Sequence, residues 1–362
     1  MPRLLLLSVL MPILCLGIGA CSQLSVRSEQ NLSNQSKIDH EVSWLKSLQL
    51  PSGAILLSTD RSAINPYFSN LAMWALLKAD PKSSDVARKW IDWYINHLNM
   101  PGFSGVPGSI YDFMVKDGRE MNLGTCDSFD SYGGTFLSLV SRYYSVTHDR
   151  PFLDSRLDSI LLVLEAMQKT IGEHGLALSR PDSRVAYLMD NVEVWRGLKD
   201  ISLTLQELGK IKEAFEAENL AKDLEKAIEV RLWSTSLGVY LPFDGSPAPD
   251  RNVFYPDGTA LVWPIVFELP QAAMRKAKLW ADFKSVWERR WKNASVDFFS
   301  WSLLAYTAMQ AGDESLANEW ERNLLANHHR NWPWHVGEAA GYLLYLHERV
   351  TADAQKEQKK SP

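Results

Sequence analysis

Ser131-Tyr132-Gly133-Gly134-Thr135-Phe136-Leu137 keeps helical spacing but offers no polar face. Asn70-Leu71-Ala72-Met73-Trp74-Ala75-Leu76-Leu77 and Ala339-Ala340-Gly341-Tyr342-Leu343-Leu344 read the same way. A helix that is apolar or small all round is buried on every side. Gly133, Gly134 and Gly341 weaken helix propensity, so they are expected where helices approach closely. Between these stretches lie helices of a second kind. Val86-Ala87-Arg88-Lys89-Trp90, Ala214 to Glu229, Lys276 to Arg290 and Trp320 to Leu325 carry charge along one face, which marks a solvated side. Buried and half-solvated helices in alternation describe two concentric rings.

Working outward, apolar residues recur at three and four spacing in Ile38–Leu48, Asn65–Lys78, Ser84–Leu98, Asp130–Thr147, Phe152–Ile171 and Asn191–Leu208. The pattern continues in Ile211–Trp233, Gly258–Glu268, Gln271–Trp291, Phe298–Gln310, Glu314–Ala326 and Val336–Arg349. These are twelve helices, or six hairpins. Links from buried to solvated helices are short, whereas the return links are mostly long and rich in Gly, Pro, Asp and aromatics, as functional loops are. A tetratricopeptide-type solenoid would need a period of about 34 residues. The buried helices start near Asn65, Asp130, Asn191, Gly258, Phe298 and Val336, too irregularly for that. The expected fold is therefore all-α, an (α/α)6 toroid of six helical hairpins over residues 38–350, with minor strands in the long loops.

The ends set the compartment. Arg3 precedes an apolar run from Leu4 to Gly17, short for a membrane span. It ends in Ile18-Gly19-Ala20-Cys21, which resembles a bacterial lipobox. The resemblance implies a signal peptide over residues 1–20, lipidation of Cys21, and attachment of the protein to the cell-envelope membrane through that lipid. Ser22 after the cysteine favours the outer membrane. An ordinary signal peptide or an uncleaved anchor are the alternatives. Residues 21–37 read as a polar tether and 351–362 as a disordered charged tail. Cys126 is the one thiol beyond Cys15 and Cys21, so no internal disulfide is available to the body of the chain. The balance of 38 Lys and Arg against 43 Asp and Glu leaves a charge of −5, without the basic block that nucleic acid requires.

Each long loop ends on acids, amides or aromatics at a buried-helix start. These are Asn65-Pro66-Tyr67, Asp127-Ser128-Phe129-Asp130-Ser131-Tyr132, Asp190-Asn191-Val192-Glu193-Val194-Trp195, Asp257-Gly258 with Trp263, Asp297 with Trp301, and Trp334-His335-Val336-Gly337-Glu338. Asp and Asn are also preferred caps, which alone accounts for Asp257 and Asp297. Asp127 with Asp130, and Asp190 with Glu193, exceed what capping needs. Each pair spaces two carboxyls three residues apart, as neighbours on one helix face, in helices that otherwise shun charge. Crowded acids in apolar surroundings are driven to different pKa values. Glycosidic hydrolysis requires that division, with one protonated carboxyl for the leaving oxygen and one ionised carboxyl for water or developing charge. Aromatics beside them (Tyr67, Tyr132, Trp195, Trp263, Trp301, Trp334) are candidates to stack on sugar faces, or simply core.

The alternation, the six loop motifs and the Asp-Ser-Phe-Asp-Ser-Tyr and Asp-Asn-Val-Glu-Val-Trp segments resemble the six-hairpin glycosidase superfamily. The resemblance implies a mostly inverting glycoside hydrolase acting on a poly- or oligosaccharide. Asp127, Asp130, Asp190 and Glu193 would be its catalytic acids, and Asn65, Tyr67, Tyr132, Trp195, Asp257, Trp263, Trp301, Trp334, His335 and Glu338 would face substrate. Asn65 and Asn70 stand where family-eight endoglucanases carry a catalytic glutamate, a departure from the cellulase pattern. No metal is expected, since neither His-Glu-x-x-His nor paired cysteines occur, and no cofactor, since no phosphate loop occurs. Two rival readings stay open. One is a non-catalytic glycan-binding or assembly module. The other is a lyase or unsaturated-uronide hydrolase, with Arg180, Arg184 or Arg196 meeting an anionic sugar and His174 or His335 in the loops. Cys126, beside Asp127, is not expected to be reactive.

Overall fold

The computed structural model describes residues 32–101, 106–293, 296–327, 330 and 332–358. The signal segment, Cys21 and most of the tether lie outside them. Among the described residues no helix is long and apolar enough to cross a membrane. The helices are α1 (Asn34–Ser47), α2 (Pro66–Ala79), α3 (Ser84–Asn96), α4 (Phe129–Thr147), α5 (Arg150–Gln168) and α6 (Leu188–Glu207). Then follow α7 (Ile211–Arg231), α8 (Trp263–Val266), α9 (Pro270–Lys292), α10 (Leu303–Gln310), α11 (Glu314–Asn327) and α12 (Val336–Gln358). The even-numbered helices touch one another in a closed circle, α2 to α4 to α6 to α8 to α10 to α12 and back to α2. The odd-numbered helices pack around them, so the two expected rings are present.

Glycine sets how closely the inner ring draws in. A Cβ on Gly197 of α6 would lie 2.3 Å from the carbonyl oxygen of Gly134 in α4, and one on Gly341 of α12 would lie 2.3 Å from the Leu303 nitrogen. Gly133 differs from the expectation: a Cβ there meets only ordinary contacts with α5, nearest 3.6 Å from Met167.

Two inner elements are shorter than their apolar period. Gly258–Glu268 is not one helix but a π turn at Phe254–Gly258 and a single α-turn, α8. Pro264 lacks the N–H and crowds the carbonyl four residues back, which forbids a continuous helix. The fifth inner helix starts at Leu303, not Phe298, because Trp301 takes a left-handed φ of 55°. Both ends of the toroid are more ordered than composition suggests. Ser33 caps α1 by accepting the Ser36 N–H at 3.1 Å, and Lys37, expected in the tether, is buried on Glu321 at 2.9 Å. Helix α12 runs on through Gln358, correcting the disordered tail over 351–358. Its polar residues are good helix formers, and Lys356 pairs with Glu314 at 2.8 Å.

The long loops carry small strands: β1 (Ala63–Ile64), β2 (Phe113–Lys116) and β3 (Arg119–Asn122) in one antiparallel sheet, and the β4–β5 hairpin (Trp233–Ser234, Val239–Tyr240). Ile64 pairs with Phe113, which lays Asp112 beside the start of α2.

Candidate active site

Inner-helix starts converge at one end, and there a cluster of acids is built. Asn65 caps α2, its Oδ1 accepting the Phe68 N–H at 3.0 Å. Its amide nitrogen donates to Asp112 Oδ1 (3.1 Å) and the Tyr132 hydroxyl (3.0 Å). Tyr132 donates to that same Asp112 oxygen at 2.9 Å. Asn65 is thus cap and site residue at once. Asp112 is half-buried, and burial pushes its carboxyl up to about 6 despite the Tyr132 bond. Asn70 instead ties the rings together: it donates to Thr135 (3.1 Å) and accepts the indole N–H of Trp90 (2.9 Å).

On the first turns of α6, Glu193 is buried. Its Oε1 accepts the Tyr67 hydroxyl (2.6 Å) and the Trp263 N–H (2.9 Å). Burial outweighs those two bonds and raises the acid to about 8, so Glu193 is neutral at pH 7. Tyr67 is pushed up in turn, by burial and by Glu193. Asp130, fully buried, accepts the Ser128 hydroxyl (2.7 Å) and the Ser131 N–H (2.8 Å) on Oδ1. Its Oδ2 is buried without a partner. Ser128 also lies 3.1 Å from Oδ2 of the half-buried Asp190. Burial first, then the neighbouring acids, drive Asp130 and Asp190 upward.

Asp127 does not share a helix face with Asp130, because α4 starts only at Phe129. It sits exposed in the loop, raised by burial of its carboxyl but drawn down by the Arg180 charge. Cys126 behind it is buried, and burial, then the charge of Asp112, pushes the thiol up to about 12. Among the described residues no three metal-ligating side chains are grouped as a metal ion would need.

Other expected residues do different work. Trp334 is 5% exposed and donates its N–H to the buried Glu41 at 2.9 Å. Trp195, also 5% exposed, belongs to the core. Neither presents a face to a sugar. Glu338 is buried and acts as a cap: its two oxygens accept the Trp301 and Ser302 N–H groups at 3.0 and 2.9 Å, ordering the start of α10. His335 is buried between Phe68 and Phe299. Its Nδ1 accepts the Gly337 N–H at 3.0 Å and burial lowers it to about 3, so it is a neutral packing group. Asp257 pins its own loop through the Asp250 N–H at 2.7 Å, and Arg196 is spent on Asp200 and Glu268. Trp301 stays partly open. Asp297 accepts its N–H (2.8 Å), and it lies 5.4 Å from the exposed ring of Tyr255. Burial raises the Tyr255 hydroxyl, with the charges of Asp190, Asp127 and Glu193 adding to it, which places Tyr255 against the acids.

Asp112, Ser128 and Tyr255 are the site members that the sequence left unmarked. The Lys116-Asp117-Gly118-Arg119 turn, with φ of 51° and 72° at its centre, is a legible hairpin signal, but nothing local says that the hairpin lies over Asn65.

No family model matches the chain, and no curated protein matches it. Solved structures do match. The fold is that of the six-hairpin glycosidases. A wild-type glycosidase superposes at a TM-score of 0.61 with 12% identity, over 92% of this chain and 98% of that one. A GH63 mannosylglycerate hydrolase from Thermus thermophilus, in complex with glucose, gives 0.59 and 12%, over 87% and 99%. An alpha-amylase from Clostridium perfringens gives 0.57 and 10%, over 87% and 98%.

Proposed function

We propose that the protein is a glycoside hydrolase of the cell envelope that cleaves a poly- or oligosaccharide with inversion. The observation that carries the reading is the set of Asp130, Asp190 and Glu193, brought together buried or half-buried at the inner-helix starts and driven upward in pKa by burial and mutual charge. Protonation of a departing sugar oxygen needs a neutral carboxyl at working pH. Asp190 is the member that combines a raised pKa with access, so it is the proton donor. Asp127, exposed in the loop and raised by burial with the Arg180 charge opposing that rise, is the partner that takes a proton from the attacking water. Glu193 holds Tyr67 and Trp263 in place, and Asp112 orders Asn65 and Tyr132. The likeness to glycosidases supports the reading at the level of fold. The lipobox-like Ile18-Gly19-Ala20-Cys21 supports export and lipid anchoring, and with them a substrate in the envelope.

The experiment is hydrolysis of a glycan panel and of matching glycosyl fluorides. Asp190→Asn is expected to lose about two to four orders of magnitude on glycans, and far less on fluorides, whose departure needs no proton. Asp127→Asn should lose both. A wild-type protein that binds a glycan but never turns one over makes the chain a binding module instead.

A further inference from the structure

Ser128 occupies the N-cap position of α4, where a serine hydroxyl ordinarily accepts a backbone N–H of the first turn. It makes no such bond. Its Oγ is turned aside to lie 2.7 Å from Asp130 Oδ1 and 3.1 Å from Asp190 Oδ2. A hydroxyl has one hydrogen. It donates to one carboxylate only, and the second contact is a hydrogen bond only when that carboxyl is protonated and donates to Oγ. With one proton on the two carboxyls, the three groups stand in one of two arrangements. In one, Asp190 donates to Ser128 and Ser128 to Asp130; in the other, every bond is reversed. Asp130 is fully buried, and its Oδ2 has no partner, so its way to solvent runs through Ser128 and the half-buried Asp190.

We propose that Asp130, Ser128 and Asp190 form a proton relay in which the buried acid resupplies the accessible one. This rests on reading Asp190 as the proton donor. The relay starts from the state in which both carboxyls are protonated, Asp130 donating to Ser128 and Ser128 to Asp190 Oδ2. As the glycosidic bond breaks, the Asp190 O–H bond breaks and an O–H bond forms on the leaving oxygen. The Ser128 hydrogen passes to Asp190 Oδ2, and the Asp130 proton passes to Ser128 Oγ. Ser128 and Asp190 end as they began and Asp130 ends as a carboxylate. The proton of the attacking water goes to Asp127, and solvent returns one proton to Asp130 through Asp190. The charges facing the pair are all acidic. Asp127 stands in the loop before α4 and Glu193 one turn along α6, while Tyr187 and Tyr255 reach in from neighbouring loops. Arg180 acts on Asp127.

The test compares Ser128→Ala with Ser128→Thr, which restores a hydroxyl. Ser128 makes no cap bond, so the alanine variant keeps the fold, and its melting curve checks that. In the full-length protein labelled with 13C at aspartate carboxyls, Asp130 and Asp190 should titrate as one coupled pair. The alanine variant should separate their curves down to what charge alone couples, and the threonine variant should restore them. On a glycan that the wild type hydrolyses, alanine should lower kcat by about tenfold or more, short of the 10²–10⁴ lost with the acid itself. KM should hold, threonine should rescue, and the loss on a glycosyl fluoride should be much smaller. Titration curves identical in all three proteins, or kcat equal in all three, overturn the relay. Curves that separate and recover in a protein with no detectable hydrolysis leave the relay standing and remove the hydrolase reading.

Discussion

Replacing Glu193 by Gln keeps an oxygen to accept the Tyr67 and Trp263 donors and deletes the titrating group. The raised pKa of Glu193 has a definite thermodynamic consequence. The ordinary value of 4.5 applies to the unfolded chain and about 8 to the folded one, so between those limits the folded state holds more protons. Stability therefore falls as pH rises through that window: the penalty is absent below 4.5 and complete above about 8. At about 1.36 kcal/mol per pH unit, the full penalty is about 5 kcal/mol, of which about 3 kcal/mol is felt at pH 7. Glu193→Gln should match the wild type in urea unfolding near pH 4.5 and exceed it by about 3 kcal/mol at pH 7. In melting temperature that is about 2 °C per kcal/mol for a chain of this size. Asp112 and Glu338 shift the same way, from 3.8 to about 6 and from 4.5 to about 7, so they should add to the weakening of the wild type between about pH 4 and pH 7. A Gln variant offset from wild type by one constant at every pH, or less stable at pH 7, would refute the claim that the fold keeps Glu193 neutral.

Other consequences are as direct. Gly197→Ala drives a methyl into the Gly134 carbonyl and should cost about 3 kcal/mol or more; near-normal denaturation would mean that α4 and α6 do not meet there. Glu338→Ala strands two N–H groups at the start of α10, that of Ser302 buried and that of Trp301 partly so. It should cost about 2–4 kcal/mol and speed hydrogen exchange at Leu303–Tyr306, whereas exchange rising evenly over the molecule would deny it a capping role. Cys21→Ser should leave an unprocessed precursor that no longer fractionates with membranes, and processing to the wild-type mass would end the lipobox reading.

The two rings were legible because burial writes itself locally. Helices α2 and α4 and the first three turns of α12 have no polar face, whereas α7 and α9 have one, and that contrast survives any detail of loop structure. The departures come from causes that a periodic pattern does not carry. Pro264 interrupts the expected Gly258–Glu268 helix in a stretch whose apolar spacing is unbroken. The start of α10 is set by Glu338, which reaches it from 37 residues along the chain. Lys37 reads as tether until Glu321 is brought beside it, and the polar tail is helical because Lys356 finds Glu314.

The site was half legible for a related reason. An acid or amide at a helix start serves equally as a cap or as equipment, and Asn65 is both. Three-residue spacing put Asp190 and Glu193 on one helix face, but the coupling that organises the cluster runs between helices, from Asp190 to Asp130 through Ser128. A serine before a helix reads as an ordinary cap, and only the direction of its hydroxyl says otherwise. The aromatics pose the same problem in reverse. Trp263 and Trp334 are both buried tryptophans near inner-helix starts, and what separates them is the acceptor of the indole N–H. For Trp263 it is Glu193 in the cluster; for Trp334 it is Glu41, 293 residues away and outside it. Which carboxylate lies within reach of an N–H is settled by closure of the ring, so composition locates the acids and topology assigns them.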